Sequence, residues 1–229
     1  MKSPAHEKYL EKPFFGSSHV WAFEHLKNLS LEARVLDVGS GSGVIGRFLR
    51  ERGVEQICAV EIDEQTVKQT SHLYKQISEN IDNYPDQNFD VICVLDVFEH
   101  LTNPDAFLIE VVNKLKPGGS LLISVPNVAH WSVRFSLLFG FFNYTERGIL
   151  DRTHLRFFTW KTLGSFLSKE TRIRIVERAA SIEPAEFVVP EYIWQTSAWR
   201  LFSRARFKLA QQFPGIFAYQ ALAVVKRIS

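Results

Sequence analysis

The sequence predicts an α/β fold built on a doubly wound, mostly parallel sheet. Three observations carry that expectation. Short apolar runs, "ARVLDV", "QICAVEID", "FDVICVLD" and "SLLISVP", alternate with helical patterns as far as residue 126, the rhythm of βαβ units with right-handed crossovers. The run "FDVICVLD" is apolar almost without a break, as a strand covered on both faces requires. Glycines at 39, 41 and 43 follow the first run at once, at the place where such sheets hold ligands, beyond the carboxyl ends of the strands.

Taken in order, "HVWAFEHLKNL" (19–29) spaces Val20, Phe23, Leu26 and Leu29 as a helix does. "GVIGRFLRERG" is a helix stopped at Gly53, a residue suited to the left-handed position past a helix end. "EQTVKQTSHLY" follows the second strand as a helix, and "NPDAFLIEVVNKLK" is a helix with Pro104 in its first turn. "PGG" then turns into "SLLISVP". After residue 126 the rhythm changes, and "NVAHWSVRFSLLFGFFNYTERGILDRTHLRFFT" is aromatic, interrupted by glycine and matches no single element. "TWKTLGSFLSKE" reads as a helix capped by threonine, "RIRIVERAA" as a strand, "IWQTSAWRLFSRARFKLAQQF" as helical and "YQALAVVKR" as the last strand. No repeat, low-complexity tract or linker divides the chain. The expectation is one domain over 1–229, with a helical cap (1–32), a ligand-binding core (33–127) and a second half (128–229) that carries an aromatic-rich insertion and the last strands.

A length of 229 residues suits one elaborated α/β domain. Hydrophobic residues at 46% supply a sizeable core and exclude disorder. A net charge of +2 is too close to neutral to argue for nucleic acid, and no such partner is expected. Cys58 and Cys93 sit inside apolar runs and read as buried reduced thiols of a cytoplasmic protein. No zinc spacing exists, and no metal is expected. The opening "MKSPAHEKYLEK" is polar and charged, so no signal peptide is expected. The apolar region "LLISVPNVAHWSVRFSLLFGFF" is broken by Pro126, Asn127, His130 and Arg134, which makes it a poor membrane span.

The glycine loop admits two ligand classes. Glycines allow close approach and positive φ, and the helix starting near Val44 offers free N–H groups and a positive dipole end. Gly41-x-Gly43-x-x-Gly46 matches a dinucleotide fingerprint on its face. Asp37 argues against it, because a carboxylate beside a pyrophosphate sets like charges together in a cleft. A ligand with an ammonium group suits Asp37 better. S-adenosylmethionine carries an α-amino group and a sulfonium and no phosphate. Asp37 could hold the amino group, directly or through water, and the helix N-terminus could take the methionine carboxylate.

"VLDVGSGSG" resembles the first motif of the class I S-adenosylmethionine-dependent methyltransferases, an acidic residue followed by G-x-G-x-G. "AVEID" resembles their second landmark and places Glu61 at the end of strand two, where two carboxylate oxygens can accept from two ribose hydroxyls. "FDVICVLDVFEHL" and "LKPGGSLLISVPN" resemble the family's strand-four and strand-five segments, so the resemblance covers roughly residues 33 to 127. It implies a Rossmann-like methyltransferase fold with a seven-stranded sheet, S-adenosylmethionine as cofactor, and a cofactor-binding set of Asp37, Gly39, Ser40, Gly41, Gly43, Glu61, Ile62, Ser78, Glu79, Leu95 and Asp96. The chain departs from the family at the adenine end: Ser78 stands where an acid is frequent, with Glu79 next to it. "FNYTERGILDRTHLRFFTWKTL" and "PGIFAYQALAVVKR" are similar to segments of a bacterial subgroup near MetW-like and UbiG-like proteins, which extends the resemblance to nearly the whole chain.

Methyl transfer from a sulfonium is an in-line displacement, so the protein mainly positions the acceptor and excludes water. A hydroxyl acceptor also calls for a general base, and histidine suits that task near neutral pH. The candidate catalytic residues are His154, His130 and Asp151. Asp151 precedes His154 by three residues, a spacing that lets the carboxylate orient the ring; a structural Asp–His pair reads the same way. His130 follows strand five toward the same mouth, or packs on Trp131. His100 follows strand four and is as well read as a buttress of the next helix. Asp151 and His154 lack further ligands at metal spacing. Arg152 and Arg156 read as solvated or as binding an acidic group, and Tyr144 as a pocket or packing residue.

The run "WSVRFSLLFGFFNY" is either a lid or wall of an acceptor pocket or a helix packed on the sheet. The late helix sets Trp199, Phe202, Leu209 and Phe213 along one stripe with Arg200, Arg204 and Lys208 elsewhere. A core-facing helix is preferred over a membrane-lying one. The function expected is methyl transfer to a hydroxyl oxygen of a small molecule or glycan. The rivals are a non-catalytic cofactor-binding scaffold and a nicotinamide-dependent oxidoreductase.

Overall fold

A computed structural model describes residues 14–185 and 189–228. Within them β1 (Val35–Val38), β2 (Ile57–Val60), β3 (Gln76–Ser78), β4 (Phe89–Leu95), β5 (Leu115–Pro126), β6 (Ile173–Ala180) and β7 (Gln220–Arg227) form one sheet in the order β3-β2-β1-β4-β5-β7-β6. Neighbours are parallel from β3 to β5, and β7 runs antiparallel between β5 and β6. The chain order reverses between β1 and β4, with Asp37 beside Cys93, so a crevice opens above this pair.

Strand alternation builds a core on each face. Leu36, Val38, Ile92, Val94, Leu121 and Ile123 pack on one side with Phe98, Leu108 and Phe166. Val35, Ile57, Ala59, Val91 and Cys93 pack on the other with Leu26, Ile45 and Leu49. The helices begin where side chains satisfy their free N–H groups. Ser17 caps α1 (Ser18–Leu26), Asp63 caps α3 (Glu64–Thr70) and Asn103 caps α4 (Pro104–Lys114). Thr159 and Thr162 form a reciprocal capping box at α6 (Trp160–Leu167). α2 (Val44–Glu51) starts from Gly43, and the chain leaves it through Gly53 at φ +84°.

Several expectations need correction. The helix expected to end at Tyr74 stops at Thr70 and continues as a 3-10 turn, Ser71–Leu73. The "PGG" segment lies within β5, behind a bulge opposite Phe89 and Val91. The late helical region is broken into α7 (Glu191–Trp194), α8 (Ser197–Gln212) and α9 (Pro214–Phe217). The break after α7 has a local cause: Thr196 accepts the Trp199 N–H and so starts a new helix. The expected core-facing stripe of α8 is also wrong. Its buried residues are Ser203 and Ala210, while Phe202 and Phe213 are about half exposed. Ala210 packs in one cluster with Phe14, Ala180, Ile182 and Ala218, and Phe207 of the same helix covers it.

The run after β5 is a helix, α5 (Trp131–Leu138), but it does not pack on the sheet as one of the two readings held. Only Val133 is buried in it, and Phe135, Leu138, Phe139 and Phe141 face outward. Cys93 is buried as expected, Cys58 only partly, and both are free thiols. Among the described residues no helix is long and apolar enough to cross a membrane. The opening stretch read as lacking a signal peptide, with most of the proposed 1–32 cap's first half, lies outside the described residues.

Candidate functional site

The first turn is shaped by glycines that could not be replaced in place. Gly39, Gly41 and Gly43 take φ of +67°, +49° and +72°, values that side-chain-bearing residues rarely adopt. A Cβ at Gly39 would lie 2.7 Å from Val97 Cγ2, and one at Gly43 would lie 2.5 Å from Leu73 Cδ1. The loop is tied to β2 by Gly39 N–H donating to Val60 O at 2.8 Å, and it closes on itself through Gly43 N–H to Ser40 O at 2.9 Å. The N-terminus of α2 therefore points its free N–H groups at the crevice.

Two carboxylates flank this turn. Asp37 is buried at 4% exposure, and its Oδ2 accepts from the Tyr74 hydroxyl at 2.7 Å. Burial pushes its pKa up to about 7; the Tyr74 hydrogen bond opposes that rise and nearby Glu61 adds to it. Glu61 is buried at the end of β2 and serves the loop itself. Its Oε2 accepts from Gly41 N–H at 2.9 Å, and its Oε1 accepts from Ile62 N–H at 2.9 Å and Asp63 N–H at 3.0 Å. A carboxylate has about four acceptor positions, so most of Glu61's capacity is engaged by backbone.

Next to Glu61, Ile62 stands 78% exposed among the described residues. Ser78 lies at the end of β3, and its hydroxyl accepts from Asn83 Nδ2 at 2.6 Å. Glu79 is exposed beside it. Leu95 ends β4 half-buried. Asp96 follows in the left-handed region at φ +56°, held by the Ser124 hydroxyl at 2.7 Å and the Gln220 amide at 2.6 Å. A strained non-glycine residue at a strand end needs such bracing from its surroundings.

The histidines sit differently from the sequence expectation. His154 Nδ1 faces the Ile149 carbonyl at 3.0 Å, which assigns the proton to Nδ1 and leaves Nε2 as the basic nitrogen. Asp151 is not the partner of Nδ1; its Oδ1 accepts from Thr153 N–H at 2.9 Å and Thr153 Oγ at 2.7 Å, because the tight turn brings the intervening threonine to the carboxylate first. Burial lowers the pKa of His154, and neighbouring His100 lowers it further. His130 does not open into the mouth. It caps α5, with Nδ1 2.8 Å from Ser132 Oγ, and is 2% exposed against Trp131 and Tyr219. Burial pushes its pKa down to about 4.

Sequence reasoning missed three features here. Tyr74 and Gln220 carried no motif, and only the fold brings them to Asp37 and Asp96. Glu99, His100 and His154 converge, with one ligand-type atom from each within 4.8 Å of the others. This trio could hold a cation, although the sequence had offered only the Asp151 and His154 pair. The His100 and His154 rings meet edge to face at 4.9 Å, and His154 also contacts Phe157. Phe157 lines a cleft of about 560 Å³ together with Thr102, Asn103, Arg156, Phe158 and Phe166. Arg156 donates to the Thr102 carbonyl and Arg152 pairs with Glu146 at 2.5 Å, while Tyr144 is half exposed.

Comparison with known proteins gives a consistent result. The family described as "Methyltransferase domain" matches residues 20–170, more than half of the chain. The ubiquinone biosynthesis O-methyltransferase of Idiomarina loihiensis is 34% identical over 111 residues, 43% of this chain and 45% of that protein. The mitochondrial ubiquinone biosynthesis O-methyltransferase of Dictyostelium discoideum is 31% identical over 120 residues, 44% of this chain and 37% of that one. The matched stretch thus spans less than half the length of these relatives. Among solved structures, a SAM dependent methyltransferase from Archaeoglobus fulgidus superposes with a TM-score of 0.60 at 20% identity, covering 95% of this chain and 97% of its own. A putative methyltransferase from Bacillus halodurans gives 0.61 at 18% identity, covering 93% and 99%. At these identities the structures share the fold.

Proposed function

The chain belongs to the methyltransferase domain family, and from that premise we propose that it transfers a methyl group from S-adenosylmethionine to a hydroxyl oxygen of a small molecule or glycan. The observation that carries the cofactor is Asp37: a buried carboxylate whose hydrogen-bond partner is a neutral phenol, next to a second buried acid, at the mouth of a glycine turn. Such a pair repels a pyrophosphate and attracts a cation. When bound, the cofactor supplies a methyl group on a positively charged sulfur, already activated for displacement.

The chain's own residues divide the remaining work. Asp37 takes the ammonium of the amino-acid end. The loop Gly39, Ser40, Gly41, Gly43 and the first N–H groups of α2 take its carboxylate. Glu61 accepts from the ribose, Ile62 offers an apolar face to the adenine, and Ser78 with Glu79 accepts from the adenine edge. Leu95 and Asp96 border the cofactor on the β4 side. His154 is the general base: the acceptor hydroxyl gives its proton to Nε2 as the oxygen takes the methyl group. The Ile149 carbonyl holds the tautomer, Asp151 shapes the turn that carries the ring, and His130 supports the wall through its cap of α5. The acceptor enters the cleft that Phe157 lines. O-methyl transfer by the curated relatives supports an oxygen acceptor. Residues 1–229 act together as one methyltransferase domain in this reading.

Isothermal titration tests it. The demethylated cofactor, S-adenosylhomocysteine, binds with measurable heat and NAD does not; the reverse pattern overturns the assignment.

A further inference from the structure

The segment that follows α3 packs beneath the first turn, and no motif accounts for it. Thr70 and Leu73 fill the space left by the missing side chain of Gly43. Tyr74 does the same at Gly46, where a Cβ would lie 2.6 Å from its Cζ. The last glycine of the apparent dinucleotide fingerprint therefore makes room for a phenol ring. Arg50 Nε fixes the segment by donating to Leu73 O at 2.8 Å, and Lys75 N–H donates to Ile57 O at 2.7 Å. The Tyr74 ring is 6% exposed, and its hydroxyl ends on Asp37 Oδ2 at 2.7 Å.

We propose that Tyr74 is a positioning residue for the amino-acid end of the cofactor: its hydroxyl holds the Asp37 carboxylate in the orientation and the charged form that an ammonium group requires. The inference rests on the cofactor reading above. Its chemistry is specific. A hydrogen bond donated to a carboxylate favours the ionised form, and burial opposes it. The titratable groups facing Asp37 are Glu61 from β2, Cys93 from β4 and Tyr74 itself. Glu61 disfavours a second negative charge and the buried Cys93 thiol stays neutral, so among the three only the phenol stabilises the Asp37 carboxylate. Removing the phenol hydroxyl moves the ionisation of Asp37 to higher pH and weakens ammonium binding most below the wild-type ionisation, where Asp37 is already largely protonated.

The test compares wild type with Tyr74→Phe by calorimetry, using S-adenosylhomocysteine and 5′-methylthioadenosine, which lacks the amino-acid end. Where loss of the phenol makes Asp37 hold its proton about tenfold more tightly, S-adenosylhomocysteine affinity falls about tenfold near pH 6 and only about twofold near pH 8. Methylthioadenosine affinity stays unchanged. Equal loss of both ligands, or a deficit independent of pH, overturns the proposal and makes Tyr74 a packing residue. Asp37→Asn provides the second arm: its S-adenosylhomocysteine affinity is weak and flat with pH, and adding Tyr74→Phe changes it no further. A persisting pH dependence in Asp37→Asn also overturns the proposal. Failure of wild type to bind S-adenosylhomocysteine removes the cofactor reading instead.

Discussion

The Gln220 side-chain amide donates to the Asp96 carboxylate at 2.6 Å, joining the start of β7 to the end of β4 across 124 residues of sequence. The amide is itself oriented, because the Ser181 hydroxyl donates to Gln220 Oε1 at 2.9 Å. With Ser124 as the second donor, three strands hold one residue in the left-handed region.

Replacing that amide by an apolar side chain leaves the partly buried Asp96 carboxylate short of a donor and the buried Ser181 hydroxyl short of an acceptor. Gln220→Leu should lower the unfolding free energy by about 1–3 kcal/mol. Denaturant unfolding measures it, and a change below about 0.5 kcal/mol, the usual size for an inconsequential substitution, would show that Ser124 alone suffices.

His154→Gln should reduce turnover by about 10²–10⁴-fold, the range for loss of a general base, with cofactor affinity unchanged. The pH profile follows from the direction in which its pKa moves. Burial and then His100 lower the pKa below 6.5, so the neutral base persists on the acid side of the ordinary imidazole range. At saturating cofactor the wild-type rate should rise with pH along a limb shifted to the acid side of the ordinary imidazole range, and the variant should lack that limb. An unchanged limb in His154→Gln assigns the base elsewhere.

His130 should make the fold acid-sensitive. Its folded pKa near 4 lies below the ordinary value of 6.5, so the unfolded chain binds the proton more readily. Stability is full above the unfolded pKa and declines as pH falls toward the folded one. Between about pH 7.5 and pH 5 the loss from this group is about 2 kcal/mol. Urea titrations of wild type and His130→Asn at both pH values isolate it, since the carboxylates contribute alike to each.

Gly46→Ala should destabilise through Tyr74. The added methyl would lie 2.6 Å from the ring carbon Cζ, and overpacking of this kind costs about 1–3 kcal/mol. Gly215→Ala serves as a control for glycine replacement without a clash, since nothing lies within 4 Å of its would-be Cβ. Equal melting changes in the two variants would remove the steric argument.

The first half of the molecule was legible because its signals are local. Apolar runs, caps such as Asn103 and the positive-φ glycines act over a few residues, and Asp37 and Glu61 sit beside the glycines that point to them. The second half was harder. On α8 the buried face is marked by small residues, Ser203 and Ala210, whereas pattern reading weights large apolar ones. The Asp151 to His154 spacing suggested a contact that Thr153 intercepts. Tyr74 and Gln220 reach the site only through tertiary structure, one from a turn beneath α2 and the other from an antiparallel strand.

The three backbone amides gathered by Glu61 have a thermodynamic corollary. Because Gly41, Ile62 and Asp63 already converge on one side chain, the rim of the crevice is set when the chain folds. An arriving nucleoside meets a finished receptacle, so little rigidification is charged against association. Exchange of spent for fresh donor is then a contest between two ligands over a stationary surface.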